Sequence, residues 1–405
     1  MSETADRDQG PTWLSENDCN LDELRALIAT ETKLADYPHA VEVRHNVPVY
    51  DSRRLGQAMA AIASVGGQTG RARQMLQAEL ARALSEGPGI VVLAGAFEAE
   101  VVDRVSAVFD GLIADQRAGG ADAGDHFATP GANDRVWNAL EKLAVADPDA
   151  FVDYYANEVL ALVSEAWLGP AYQMTSQVNV VNPGGEGQTV HRDYHLGFMD
   201  SDAVARYPAR VHLLSQALTL QGAVAHCDMP AESGPTLYLP HSQKLLSGYL
   251  AWRLPNFRDF FENERVQLPL AKGDAVFFNP ALFHAAGSNH TADVRRMANL
   301  LQVSSAFGRS MEAVDRARVT AAVFPVLQQR QAAGMAEAAL RNALVSAAEG
   351  YAFPTNLDLD QPVAGPAPPA QAEVAWQALQ EVWTVEQLGE QLRAHAARRL
   401  TARRE

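Results

Sequence analysis

The chain has only two cysteines in 405 residues, Cys19 and Cys227. Two cannot build a disulfide framework, and their spacing fits neither a zinc ribbon nor a redox pair. A near-terminal thiol and a small buried hydrophobe are the expectation. Basic residues are also scarce: 33 Lys and Arg stand against 49 Asp and Glu, a formal net charge of -16. Such a surface repels phosphate backbones and anionic lipid, which argues against nucleic-acid and membrane partners. No run approaches eighteen consecutive apolar residues, so no membrane span is expected. The opening MSETADRDQG is polar and acidic, with no apolar run behind a basic start. No secretory signal is visible, and the expected location is cytoplasmic. What is there is an ordinary soluble composition, 47% apolar and 20% charged, long enough for one large domain or two smaller ones.

Three textures follow one another, with no internal repeat. Residues 1–88 read as a mostly helical N-terminal region, with helical spacing over 21–31 and 71–84 and a short extended segment over 41–50. Residues 89–307 read as a β-rich core with helical insertions. Strand patterns fall at 90–93, 174–181, 189–195, 218–226, 236–239, 274–278 and 295–304, and helices at 97–113 and 150–168. Turn signals such as Pro183-Gly184-Gly185 and Ser233-Gly234-Pro235 separate them. Many short strands with such punctuation suggest an antiparallel sandwich or barrel. Residues 308–405 read as a helical C-terminal extension, broken by a Pro-rich stretch near 361–369 and ending in a helix from 373 with a basic, solvated end.

The chemistry begins at His191-Arg192-Asp193. On a strand alternate side chains share a face, so an imidazole and a carboxylate can take adjacent positions on a divalent metal. Alone, this pattern is common. His284 adds to it, because it ends an apolar strand-and-turn stretch where a bare histidine needs a partner. Two histidines and one carboxylate make the facial triad of non-haem iron oxygenases, with open positions for co-substrate and O2. Arg295 lies eleven residues past His284, a distance that suits a turn back into a neighbouring strand. A guanidinium stays charged when buried and holds a carboxylate bidentately, which suits the far end of a dicarboxylic co-substrate. Arg296 points to the opposite face of the same run, and the eleven-residue offset favours Arg295.

In these residues the sequence resembles the phytanoyl-CoA dioxygenase family of Fe(II)/2-oxoglutarate-dependent oxygenases. The resemblance covers roughly residues 89–307, about half the chain. It rests, in order, on Gly89-Ile90-Val91-Val92-Leu93 with its following helix, on His191 and Asp193, on a third segment, and on His284 with Arg295. That third segment, Glu232-Ser233-Gly234-Pro235-Thr236-Leu237-Tyr238-Leu239-Pro240-His241-Ser242, is similar to the family's N-G-x-L-x-x-x-P-G-S-H pattern. The resemblance implies a double-stranded β-helix, or jelly roll, with flanking helices. It also implies Fe(II) at His191, Asp193 and His284, 2-oxoglutarate as co-substrate anchored by Arg295, and O2. Succinate and CO2 would be released, and hydroxylation of a small organic metabolite is the expected outcome. Two positions depart from the family pattern. Ala286 stands where a Ser or Thr often assists the co-substrate, with Ser288 as a candidate substitute, and His241 replaces a turn glycine. Asp193 is intact, whereas related halogenases carry a small residue there, so halogenation is not expected.

Further candidates are His195, which shares the parity of the triad and would line the substrate pocket, and Gln177 and Asn179, amides that would face the co-substrate. His226 and His241 read as structural or rim residues and His290 as an exposed turn residue. Asp125-His126-Phe127, in a Gly-rich loop, would belong to a lid. Two rivals remain: a cupin-like metalloenzyme that does not use 2-oxoglutarate, and a non-enzymatic binding module on the same fold. Substrate and oligomeric state lie beyond this reading.

Overall fold

The computed structural model describes residues 11–63, 69–119, 131–362 and 365–400. Eleven strands lie among them: β1 (Glu42–Arg44), β2 (Val47–Asp51), β3 (Ile90–Ala94), β4 (Asn133–Val136), β5 (Gln173–Val181), β6 (Thr219–Ala225), β7 (Leu237–Leu239), β8 (Val266–Gln267), β9 (Ala275–Phe278), β10 (Phe283–Ala285) and β11 (Arg296–Ser304). Eight form one sheet in the order β1-β2-β3-β9-β6-β11-β5-β4, and β10-β7-β8 form a second. Pairing is antiparallel throughout except between β2 and β3. The architecture is the expected double-stranded β-helix with flanking helices.

Side-chain alternation decides what each face of the large sheet does. The outer residues Val91, Leu93, Val178, Val180, Leu220, Val224, Phe277, Met297, Leu301 and Val303 join one apolar cluster with the helices. The inner residues Ile90, Val92, Ala223, Ala225, Val276 and Phe278 join another with Tyr238, Leu268, Leu270 and Leu282. Both faces are covered, so β3 and β9 read as continuous apolar runs, while β5, β6 and β11 carry polar residues toward the cavity. The outer cluster draws on all three textures of the sequence. It includes Leu76 and Leu80 from helix Thr69–Ser85, Phe109 from Ala99–Ala118, Phe324 from Arg316–Ala332, and Leu388 from Val385–Arg398.

Local signals explain most differences from the expected elements. Residues 150–168 hold two helices, Pro148–Tyr155 and Glu158–Leu168. Asn157 breaks the run, because its side chain accepts from the amides of Val159 and Leu160 and so caps a new helix. The last helical stretch is likewise two, Gln371–Gln380 and Val385–Arg398. Its basic end is partly tied down: Arg398 pairs with Asp360 at 3.0 Å and Arg399 with Glu349 at 2.9 Å. Residues 189–195 are no regular strand; only an isolated bridge between His191 and His284 forms there. No helix among the described residues is long and apolar enough to cross a membrane.

Candidate metal and co-substrate site

His191 and His284 face each other across that bridge. The His191 amide donates to the His284 carbonyl at 2.9 Å, and the reverse bond is 3.2 Å. In each ring Nδ1 lies 2.8 Å from a backbone carbonyl two residues back, Thr189 for His191 and Leu282 for His284. A carbonyl only accepts, so each Nδ1 carries the proton and each Nε2 presents a lone pair. The His191 Nε2 lies 3.7 Å from Asp193 Oδ1, and the His284 Nε2 lies 3.4 Å from Asp193 Oδ2. One ligand atom from each of the three residues falls within 4.8 Å of the others. The structure thus brings His191, Asp193 and His284 together in one donor set.

Electrostatics holds Asp193 and His191 in their ligand forms. Burial alone would raise the Asp193 carboxyl, but His191, His284 and an amide bond from Gln221 outweigh it and hold the group well below the usual carboxylate range. Burial, with His284 beside it, lowers His191. The result is an anionic Asp193 carboxylate beside a neutral His191 imidazole. The intervening Arg192 points away and is buried. Its guanidinium sits 5.1 Å from the Tyr249 and Phe283 ring centroids, and Nη2 donates to the carbonyls of Ser242 and Leu245 at 2.6 and 3.0 Å. That latch holds the backbone between two of the three ligands where no regular strand does.

The donor set opens into a cavity of about 540 Å³. Here the arginine expectation needs correcting. Arg295 lies outside the cavity, on the surface, and pairs with Asp110 of helix Ala99–Ala118 at 2.6 Å. Arg296 lines the cavity and is only 5% exposed. On β11 the inner residues are Arg296, Ala298, Leu300 and Gln302, while Met297, Leu301 and Val303 fall in the outer core. The eleven-residue offset therefore lands one residue early, on the wrong face. The pattern along β11 does not decide the phase, since Asn299 is polar on the outer face and Leu300 is apolar on the inner one. Burial lowers the Arg296 guanidinium to about 10, still charged at neutral pH. Its one described hydrogen bond is a long 3.4 Å contact to the Gly287 carbonyl, and no carboxylate pairs with it among the described residues.

His195 also needs correcting. The chain turns at Tyr194 and His195, whose φ angles are 62° and 44°. That turn ends the parity argument. His195 leaves the cavity wall and meets Ser215 Oγ at 3.3 Å. Gln177 and Asn179 lie on the wall. Ser288 does not turn inward, because its hydroxyl accepts from the Gly187 amide at 2.9 Å. His226 is packed in the core between Ser106 and Tyr154. His241 occupies a left-handed turn at φ 73°, a conformation that ordinarily favours glycine. His290 is exposed, and Asp125-His126-Phe127 lies outside the described residues.

The sequence reading missed Gln221, Tyr238 and Arg135. Gln221 donates to Asp193 Oδ2. Tyr238 sits opposite His284 in register and lines the cavity. Arg135 bonds Gln177 Oε1 at 3.2 Å and lies over the Trp137 ring at 5.0 Å. Gln221 and Arg135 sit in no recognisable local motif, and Tyr238, though inside the 232–242 segment, is carried to the site only by the pairing of β7 with β10.

A jelly roll whose cavity gathers two imidazoles and a carboxylate defines a non-haem metal oxygenase site. The chain belongs to the phytanoyl-CoA dioxygenase (PhyH) family, whose profile matches residues 85–297, over half the sequence. The family's cofactors, Fe(II), 2-oxoglutarate and O2, fit this donor set. No curated protein sequence matches the chain. Among solved structures, it is similar to the non-heme alpha ketoglutarate dependent epimerase SnoN from nogalamycin biosynthesis, at 21% identity over 58% of this chain and 82% of that one, TM-score 0.39. The carbocyclase SnoK from the same biosynthesis shows 19% identity over 56% and 83%, TM-score 0.41. HygX from Streptomyces hygroscopicus, with nickel and 2-oxoglutarate bound, shows 15% identity over 56% and 87%, TM-score 0.39.

Proposed function

We propose that this chain is an Fe(II)/2-oxoglutarate-dependent dioxygenase that hydroxylates a small organic molecule, with His191, Asp193 and His284 as the metal ligands and Arg296 as the co-substrate anchor. One observation carries the reading: a buried guanidinium with no carboxylate partner among the described residues shares a cavity with a facial donor set. A buried unpaired cation is costly, and a dicarboxylic co-substrate supplies the missing charge. When bound, iron, 2-oxoglutarate and O2 supply the oxidation, in which the co-substrate becomes succinate and CO2 and one oxygen atom passes to the substrate. The protein's own residues do the rest. The backbone bonds at both Nδ1 atoms orient the imidazoles before metal arrives. Gln221 holds one oxygen of Asp193. Arg296 receives the far carboxylate, with Tyr238 on the same wall. Leu268, Leu270, Val276 and Phe278 make that wall apolar and exclude water. An intact Asp193 leaves no ligand position for halide, which favours hydroxylation over halogenation. The cavity volume, shared with the co-substrate, suits a small molecule rather than a macromolecule.

Anaerobic titration of the protein with Fe(II) and then 2-oxoglutarate tests the reading, followed by a metabolite screen for succinate release. Saturable 2-oxoglutarate binding that requires Fe(II) is expected. Metal binding without any 2-oxoglutarate binding would leave a metal-only jelly-roll enzyme instead.

A further inference from the structure

Four polar side chains on the inner face of the large sheet form an interrupted line of hydrogen bonds. Arg135 Nη1 donates to Gln177 Oε1 at 3.2 Å, and Gln177 Nε2 donates to Gln302 Oε1 at 3.3 Å. At the far end Gln221 Nε2 donates to Asp193 Oδ2. Amide oxygens and nitrogens are easily exchanged in assignment, but here both ends fix the direction. A guanidinium can only donate and an ionised carboxylate can only accept. Each amide in between must therefore present oxygen toward Arg135 and nitrogen toward Asp193.

The line breaks between Gln302 and Gln221, which stand directly opposite each other on β11 and β6. Gln302 Nε2 has no described partner. Gln221 Oε1 is buried and without one, on a residue only 8% exposed. Both residues line the cavity. A buried acceptor left unmatched is costly, so the gap asks for an occupant. That occupant must accept from Gln302 and donate to Gln221. A carboxylate of 2-oxoglutarate cannot donate, and an ammonium cannot accept. A hydroxyl does both.

We propose that the substrate is an alcohol whose hydroxyl closes this gap, so that Gln302 and Gln221 select it and hold its carbon skeleton beside the metal ligands. The proposal rests on the oxygenase reading for the place of the metal, but its hydrogen-bond logic is independent of it. Gln221 is then a specificity residue tied directly to Asp193. The competing occupant is water, which has the same donor and acceptor pair.

The test uses protein loaded anaerobically with Fe(II) and 2-oxoglutarate, and three alcohols: cyclohexanol, 1-indanol and 1-octanol. Each is compared with its own methyl ether, which keeps the acceptor and loses the donor. Binding is read by calorimetry and by tryptophan fluorescence, since Trp137 and Trp252 line the cavity. At least one alcohol should bind about tenfold or more tightly than its ether, as expected for one well-placed hydrogen bond. Gln302→Met and Gln221→Met should each bring that ratio close to one. If no alcohol outbinds its ether, water alone occupies the gap and the proposal is wrong. It is equally wrong if the preference survives both substitutions, because size and not the donor would then set it. Failure of 2-oxoglutarate to bind, with the alcohol preference intact, would instead overturn the oxygenase reading and leave the alcohol site standing.

Discussion

Replacing Arg296 by Ala separates the co-substrate site from the rest of the cavity. The side chain is 5% exposed and holds one long bond to a carbonyl, so without ligand it adds a desolvated charge and little else. Burial lowers its pKa to about 10, well below that of a free guanidinium. At about 1.4 kcal/mol per unit, that is a penalty of roughly 3 kcal/mol carried by the empty protein. Arg296→Met should therefore fold at least as stably as the parent when no ligand is bound. With 2-oxoglutarate present the balance reverses. Removing one partner of a buried charge pair costs about 2–5 kcal/mol, or roughly thirty-fold to several thousand-fold in affinity. Arg296→Ala should weaken 2-oxoglutarate binding by that factor, and Arg296→Lys should recover only part of it, because an ammonium lacks the planar fork. Arg295→Ala removes an exposed pair with Asp110 worth about 0–1 kcal/mol and should leave the affinity nearly unchanged. Anaerobic titration of the three variants, each holding Fe(II), measures this directly. A large loss in Arg295→Ala with none in Arg296→Ala would refute the assignment of faces, and no loss in either would remove the anchor altogether.

Metal binding should raise the melting temperature. Fe(II) or Co(II) at a hundred times its dissociation constant adds about 2.7 kcal/mol, and His191→Ala, Asp193→Ala or His284→Ala should each abolish the shift in a thermal melt. Gly248→Ala should break the latch behind the ligands: an added Cβ would lie 2.0 Å from the Arg192 guanidinium carbon, with Tyr249 and Phe283 on either side. A loss of a few kcal/mol in urea unfolding is expected, and a variant as stable as the parent would mean that Arg192 moves freely. His226 is held neutral in the core, lowered by burial to about 3. The unfolded chain then binds a proton that the folded one refuses, so stability is complete above about pH 6.5 and falls as pH drops toward 3, by up to about 1.4 kcal/mol per unit. His226→Gln should flatten that acid limb in urea midpoints measured from pH 7 to 4, and an unchanged slope would place the proton uptake elsewhere.

The sequence by itself determined the β-rich core, most strand positions, and the metal ligands with their spacing. His191, Asp193 and His284 are legible because a metal needs particular residue types and an extended chain presents them at short intervals. The helices flanking the sheet are legible through their 3.6-residue apolar spacing. Phase was not. Alternation says that Arg295 and Arg296 face opposite ways, but both faces of β11 are covered, and apolar Met297 and Leu300 fit either. Only packing against helix Ala99–Ala118 on one side and the cavity on the other selects Arg296. His195 failed for a related reason: parity holds while a strand continues, and the left-handed turn at Tyr194 ends it. Gln221, Gln302, Gln177 and Arg135 sit on four strands up to 167 positions apart in number, with nothing local to join them. Their line exists because β6, β11, β5 and β4 are neighbours in the sheet, and strand order is settled by the burial of both faces at once, a property of the whole chain and of no segment within it.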